Sequence, residues 1–176
     1  GNDNTDSDID PTSKTTGTVT IVAGQQNLTV DAGLYKTASL GDRVWVDANG
    51  NGVQDNGEVG KAGVTVQLYK CVNNAASGPA VATAVTADGT VAGKPLGYYN
   101  FAGLTPGDYI VKFIAPNGTV LSTANVGNDA FDSDAGANGF TGCYTLASGQ
   151  DNTTVDAGLY EKASLGDRVW LDLDKD

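Results

Sequence analysis

Residues 39–70 read SLGDRVWVDANGNGVQDNGEVGKAGVTVQLYK, and this stretch decides the fold. In its middle, Asp47, Asn49, Asn51, Asp55 and Glu58 fall at positions 1, 3, 5, 9 and 12 of a loop. Gly52 stands at position 6, where the chain must turn sharply, and Val53 at position 7 offers its backbone carbonyl. This is the full D-x-[DN]-x-[DN]-G-x5-E pattern of a calcium loop, whose spacing makes oxygen ligands converge on a hard cation. The plain alternative is an Asn/Gly-rich surface turn, and a Glu at the bidentate position argues against it.

The flanks separate this loop from a helical EF-hand. Ser39–Val46 before it is rich in β-branched and aromatic residues, and Gly63–Lys70 after it alternates with period two. Only Val59-Gly60-Lys61-Ala62 lies between, which leaves no room for a helix. The loop therefore joins two strands, and a cation there is a clamp on a β-domain.

The rest of the chain fits an all-β reading. Of 176 residues, 24 are Gly, aromatics are 7%, and Thr, Asn, Asp and Val are abundant, the mix of strands joined by tight turns. Strands are predicted at 39–46, 63–71, 81–87, 97–104, 107–115, 119–124, 140–147 and 152–160. Turns are predicted at Ala87-Asp88-Gly89, Thr105-Pro106-Gly107 and Pro116-Asn117-Gly118. Val64, Val66 and Leu68 form one inward face, and Tyr99, Phe101, Leu104, Tyr109, Val111 and Phe113 look inward elsewhere. Trp45 has two readings, core or interdomain, because Val44 and Val46 compete for the inward side. Many short alternating strands without a helical period predict an antiparallel β-sandwich.

A net charge of −11 with no His argues against nucleic acid and anionic membrane as partners. No apolar run is long enough to insert in a membrane. With no Met and no signal peptide in view, the chain reads as an excerpt of a longer, mature protein. Nothing supports catalysis: there is no His, and no Ser, Cys or carboxylate pair has a plausible base beside it. Cys71 and Cys143 sit in no metal or redox motif. Both have outward parity, so a disulfide across a sheet edge is expected; unlinked thiols are the alternative.

The chain repeats itself. Val30–Tyr35 recurs as Val155–Tyr160, and Ala38–Trp45 recurs as Ala163–Trp170. Asn2-Asp3 with Asp6-Ser7-Asp8 recurs as Asn128-Asp129 with Asp132-Ser133-Asp134. A period this long indicates a tandem array of whole domains. Residues 1–37 are then the C-terminal part of one repeat, 38–161 one complete repeat, and 162–176 the start of the next. Asp172, Asp174 and Asp176 align with Asp47, Asn49 and Asn51 as the opening of the next loop. Junctions as short as Lys36-Thr37 and Glu161-Lys162 imply a stiff rod of repeats joined head to tail. Residues 1–37 carry at most two or three strands and cannot bury a core alone, so they need the complete domain or another copy in a fibre to order them.

A second acidic cluster comprises Asn128, Asp129, Asp132 and Asp134, with Asp156 brought near by the last strand. Closely spaced carboxylates repel unless a cation or solvent intervenes, so either a second calcium site or a solvated acidic loop is expected. Asp3, Asp6, Asp8 and Asp31 are the equivalent cluster of the preceding repeat. Asp42, after a Gly at a strand start, reads as a structural hydrogen-bonding residue. The N-x-T sequons at Asn27, Asn117 and Asn152 read as chance in a Thr/Asn-rich chain.

Ser39–Asp47, the loop Asp47–Glu58, Gly97–Leu104, Pro106-Gly107-Asp108-Tyr109, Asn128–Asp134 and Val155–Tyr160 together resemble the B-type (SdrD B-like) repeats of the Sdr surface proteins of staphylococci, within the wider Cna-B-like family. The resemblance implies an all-β, Greek-key, Ig-like or prealbumin-like sandwich in tandem repeats, rigidified by Ca2+ at more than one place. It also implies an extracellular setting, cell-surface or secreted, in a stalk, adhesin or filament. Some Cna-B relatives carry a Lys–Asn isopeptide bond assisted by an acidic residue; here Lys112 stands near that position, which predicts no such bond. The cysteine pair is not a family hallmark, and Thr18 occupies the position matching Cys143. The leading functional expectation is thus a calcium-stabilised spacer. An Ig-like module binding a protein or carbohydrate directly would need an exposed aromatic cluster, for which only Tyr98, Tyr99 and Phe131 are candidates. A dockerin-like module would need helices.

Overall fold

The computed structural model describes residues 6–167, 170, 171 and 173. The chain divides into two compact units, Gly1–Lys36 and Thr37–Asp176. The second carries nine strands: β1 (Ala38–Val46), β2 (Thr65–Val72), β3 (Ala75–Val85), β4 (Tyr98–Leu104), β5 (Gly107–Ile114), β6 (Thr119–Leu121), β7 (Phe140–Leu146), β8 (Asp151–Asn152) and β9 (Ala157–Glu161). They form two sheets, ordered β4-β1-β9-β6 with β8 also on β1, and β3-β2-β5-β7.

The core lies between the sheets. Val64, Val66 and Leu68 face it from the second sheet, with Tyr109, Val111 and Phe113 of β5 beside them. Leu40 and Val44 of β1, Tyr99 and Phe101 of β4, and Leu159 of β9 meet them from the first. Tyr99 packs edge-on against Phe101 and Phe113, with ring centroids 5.8 and 5.5 Å away. Its buried hydroxyl donates to the Val155 carbonyl at 2.7 Å, so the ring is buried without orphaning its polar end.

The sandwich departs from a purely antiparallel one at β1. This strand pairs antiparallel with β4 but parallel with both β8 and β9. The predicted strand 152–160 is therefore two pieces. Leu40 pairs with Asn152 and Val44 with Ala157, so the last strand holds one residue more than β1 over this interval. The extra residue is a bulge, and the N–H of Asp156 leaves the ladder for the Asp134 carboxylate at 2.7 Å.

Trp45 is resolved as intradomain. Val44 and Trp45 are both fully buried, because β1 is covered on both faces. The indole lies against Gly158, where an added Cβ would come 2.9 Å from Trp45 Cζ2 and 2.8 Å from Ser122 Oγ. Strand β3 starts six residues before its prediction, at Ala75. Asn73 and Asn74, with φ of 53° and 58°, make the tight two-residue turn that joins it to β2.

Cys71 and Cys143 form a disulfide with Cα atoms 6.0 Å apart. It ties down a sheet edge, because β7 ends the order β3-β2-β5-β7. Cys71 is on β2 and Cys143 on β7, the two neighbours of β5. On β5, Ile110 pairs with both Tyr69 and Cys143, and it is buried on the outer face of the sheet. Tyr69 and Phe140 stack nearby at 5.9 Å, and Lys112 Nζ lies 4.8 Å over the Phe140 ring.

Unit Gly1–Lys36 has no strand among its described residues, where two or three at most were expected. Val19, Ile21, Val22, Leu28, Val30, Leu34 and Tyr35 are exposed in it. A strand needs a partner ladder, and 31 described residues without an apolar core supply none.

The disulfide closes a 72-residue separation. Replacing both cysteines with Ala is expected to lower unfolding free energy by about 2–4 kcal/mol through the freed unfolded chain. Denaturant unfolding of the two forms measures this; an unchanged midpoint would remove the disulfide from the stabilising interactions.

Candidate metal centre

The loop begins where β1 ends. Asp47 N donates to Leu159 O of β9 at 2.9 Å, which anchors the first predicted ligand to the last strand. Its carboxylate is fully buried. Oδ1 accepts from Gly50 N at 2.7 Å and Asn51 N at 3.2 Å, and Oδ2 accepts from Gly52 N at 2.8 Å. These backbone N–H groups replace the water that the carboxylate loses on burial.

The other predicted ligands close the ring. Asn49 Oδ1 accepts from Asn51 N at 2.9 Å, and Asn51 Oδ1 accepts from Val53 N at 2.8 Å. Both side-chain amides donate to Asp55 Oδ2, each at 2.8 Å. Glu58 Oε1 accepts from Ala48 N at 2.8 Å and Oε2 from Asp55 N at 3.0 Å, joining position 12 to positions 2 and 9. Gly52 has φ +80°, and a Cβ there would meet Thr123 O at 2.3 Å. Position 6 is thus fixed both by the turn and by the neighbouring segment.

Among the described residues, no group of three or more His, Cys, Asp or Glu side chains forms a metal cage. The loop's oxygens are held by backbone N–H groups, and Asn49 and Asn51 turn their nitrogens toward Asp55. Rotating those two amides would turn their carbonyl oxygens toward Asp55. That all-oxygen donor set suits a hard divalent cation such as Ca2+.

The second acidic segment packs directly on the loop. Val53 and Asp132 form an antiparallel bridge, Gln54 N donates to Phe131 O at 2.7 Å, and Ser133 N donates to Gly52 O at 2.9 Å. Asn128 shapes the turn: its backbone oxygen accepts from Phe131 N and Asp132 N, and its Oδ1 from Ala130 N. Asp132 is almost fully buried; Oδ2 accepts from Gly127 N at 2.7 Å, while Oδ1 is buried with no hydrogen-bond partner. An orphaned carboxylate oxygen beside the loop is one that a cation would satisfy. Asp129 is exposed.

Asp134 and Asp156 belong to a different group, and Asp42 joins them. Asp134 N donates to Asp156 O at 2.9 Å, and Arg43 N donates to Asp156 Oδ1 at 3.1 Å. The carboxyls of Asp42 and Asp156 bond to each other. Asp42 therefore faces another acid, which its position after a Gly at a strand start did not reveal. Burial pushes Asp134 up to about 7, with the charges of Asp129 and Asp132 adding to the rise. Burial, then the Asp42 charge, raises Asp156 as well. Asp42 is raised by burial, against the hydrogen bond to Asp156. Two carboxyls sharing a hydrogen bond require a proton between them or a cation beside them.

Part of this arrangement recurs in unit Gly1–Lys36. Asp8 N donates to Asp31 O at 2.9 Å, Asp31 N to Asp8 Oδ2 at 2.7 Å, and Gly33 N to Ser7 Oγ at 3.2 Å. These match the Asp134–Asp156 pair and the bond from Gly158 N to Ser133 Oγ at 3.3 Å. Asp6 is exposed. Asp3, Asp172, Asp174 and Asp176 lie outside the described residues. Asn27 and Asn152 each accept from the N–H and hydroxyl of the Thr two residues on, so those two sequons share one local turn. Of the three candidate aromatics, Tyr99 is core. Phe131 is 55% exposed beside Arg43 and Gln54, and Tyr98 lines a separate groove with Val91 and Lys94, so no aromatic cluster forms.

A family model described as SdrD B-like domain matches residues 38–159. Serine-aspartate repeat-containing protein D of Staphylococcus aureus (strain Newman) is 41% identical over 175 residues, 98% of this chain and 12% of that protein. Serine-aspartate repeat-containing protein F of Staphylococcus epidermidis is 34% identical over 184 residues, 99% of this chain and 10% of that protein. The chain thus spans about an eighth of the length of the first of these relatives. Among solved structures, GBS52, the minor pilin of Streptococcus agalactiae, is 18% identical with a TM-score of 0.43, over 77% of this chain and 49% of that one. The shaft pilin SpaA of Lactobacillus rhamnosus GG is 15% identical with a TM-score of 0.41, over 74% of this chain and 51% of that one.

The raised carboxyls fix a pH dependence. Asp134 rises from 3.8 unfolded to about 7 folded, so the folded state binds this proton more tightly. The resulting stabilisation is full below the unfolded value and is lost as pH rises through about 7. In chelator, the melting temperature is expected to be higher near pH 5 than near pH 8, and Asp134→Asn to shrink the difference while leaving the share that Asp156 and Asp42 contribute. Calorimetry across that range checks it; equal slopes in the two forms would refute the assignment.

Proposed function

The chain belongs to the SdrD B-like domain family, and on that footing we infer that residues 38–161 are a calcium-stabilised structural spacer of a repetitive extracellular stalk, adhesin or filament. The segment works outside the cell, at the surface or secreted, and its role is structural rather than catalytic. Its partners are neighbouring repeats of the same protein, head to tail. Residues 1–37 end one such repeat and 162–176 begin another.

Asp47 carries the reading. A fully buried carboxylate opens a loop with the complete calcium spacing, and its own N–H is bonded to the closing strand. A cation held there braces β1 against β9. Asp132, with its orphaned oxygen against the same loop, supplies a second point of attachment, and Asp42, Asp134 and Asp156 a third. The bonding pattern shared by Asp8–Asp31 and Asp134–Asp156 supports the tandem arrangement. Among the described residues, no helix is long and apolar enough to cross a membrane.

Calcium is expected to raise the melting temperature of the chain above its value in chelator, and Glu58→Gln to abolish most of that rise by removing the bidentate ligand. Magnesium should substitute poorly. A melting temperature indifferent to calcium would overturn the calcium part of this function and leave only the spacer.

A further inference from the structure

The strand directions place the loop at one end of the domain, and it is not the end its sequence position suggests. Asp47 comes soon after the junction at Lys36-Thr37. Yet β1 runs the whole length of the sandwich before reaching it. Ala38, at the start of β1, pairs with Leu104, and Ser39 N donates to Gln150 O. The turns around Thr105-Pro106 and 147–150 therefore surround the N-terminal pole. At the far end of β1, Val46 pairs with Leu159, and Thr119 pairs with Glu161. The loop thus shares the C-terminal pole with the last residues of β9.

That pole carries a cleft of about 350 Å3 formed by Asp47, Ala48, Lys61 and Thr119 with Leu159 and Glu161. The chain leaves the domain through its rim. Ala163, which repeats Ala38, follows Glu161 by two residues, a reach of at most about 7 Å. A following repeat must therefore begin its first strand at the mouth of the cleft, with its own turns equivalent to Thr105-Pro106 and 147–150 around it. The residues Thr105, Pro106, Ala147, Ser148, Gly149 and Gln150 are uncharged, so these turns set no like charge against Asp47 or Glu161, and the adjoining acid, Asp151, is engaged by the Ser39 hydroxyl.

We propose that this cleft is the docking surface for the N-terminal pole of the following repeat, so that the loop Asp47–Glu58 governs the joint after its own domain and not the joint before it. The occupant is a second copy of the same fold. This rests on the spacer reading above. Bonds from Asp47 N to Leu159 O and from Val46 N to Val59 O tie the loop to the cleft floor, so loosening the loop loosens the surface on which the neighbour sits.

The two directions can be told apart in a chain carrying two copies of residues 38–161 joined through Lys162. Each copy holds a full core, since the core residues all fall between Ala38 and Leu159. Spin labels on the exposed Val81 positions report the spread of interdomain distances by pulsed EPR. With calcium present, Glu58→Gln in the first copy should broaden the distribution, and the same change in the second copy should leave it unchanged. Thr119→Trp, at a half-buried position on the cleft wall and outside the loop, should do the same from the first copy only. Broadening from second-copy variants, or a distribution indifferent to first-copy Thr119→Trp, would overturn the proposal. If calcium shifts neither melting nor the distance distribution, the calcium reading fails, and the Thr119→Trp pair still decides whether the cleft is the joint.

Discussion

The parallel pairing of the first and last strands is the constraint on which this domain depends. Val44, Trp45 and Val46 lie beside Ala157, Gly158 and Leu159. With β4 on its other side, β1 becomes an interior strand. Val44 and Trp45, on its opposite faces, are both fully buried. The pairing with β9 explains Gly158, where any side chain would strike Trp45 and Ser122. Without this pairing the loop after Val46 would hang from a sheet corner with nothing to hold its first residue.

Around that frame the chain buries an unusual number of carboxyls. Asp47, Asp132, Asp134 and Asp156 are all nearly inaccessible. Burying a carboxylate is costly unless something compensates, and the compensation differs from place to place. At Asp47 it is complete, from three backbone N–H groups. Asp132 has one oxygen served and one not. Asp42 and Asp156 share a hydrogen bond, and both are held above the ordinary carboxylate range. This gradient separates a loop that is already closed from carboxyl groups that remain demanding.

Local features were legible in the sequence, and those set by strand order were not. The inward faces at Val64, Val66 and Leu68 and at Tyr109, Val111 and Phe113 followed from period-two alternation, which depends only on pleat geometry. The turn at Pro116-Asn117-Gly118 followed from turn chemistry in the same way. The Asn73-Asn74 turn is equally local, in two adjacent residues suited to positive φ, yet it was not among the predicted turns, so β3 begins earlier than expected. The disulfide was expected, but its path over β5 depends on which strands neighbour which. Asp42 could be tied to Asp156 only once β1 was known to lie beside the last strands. The bulge at Asp156 is likewise a property of two registers, neither of which appears in its own sequence.

The antiparallel order of most strands and the parallel order of β1 and β9 have a mechanical meaning. A pull on the two ends of residues 38–161 enters at Ala38 and leaves at Glu161, at opposite poles. The load then runs along β1 and β9 in opposite directions, and their shared hydrogen bonds are strained in shear. Bonds loaded this way must give together, whereas a hairpin pulled from its open end unzips one bond at a time. The domain thus meets tension along the axis in which a string of such domains would carry it.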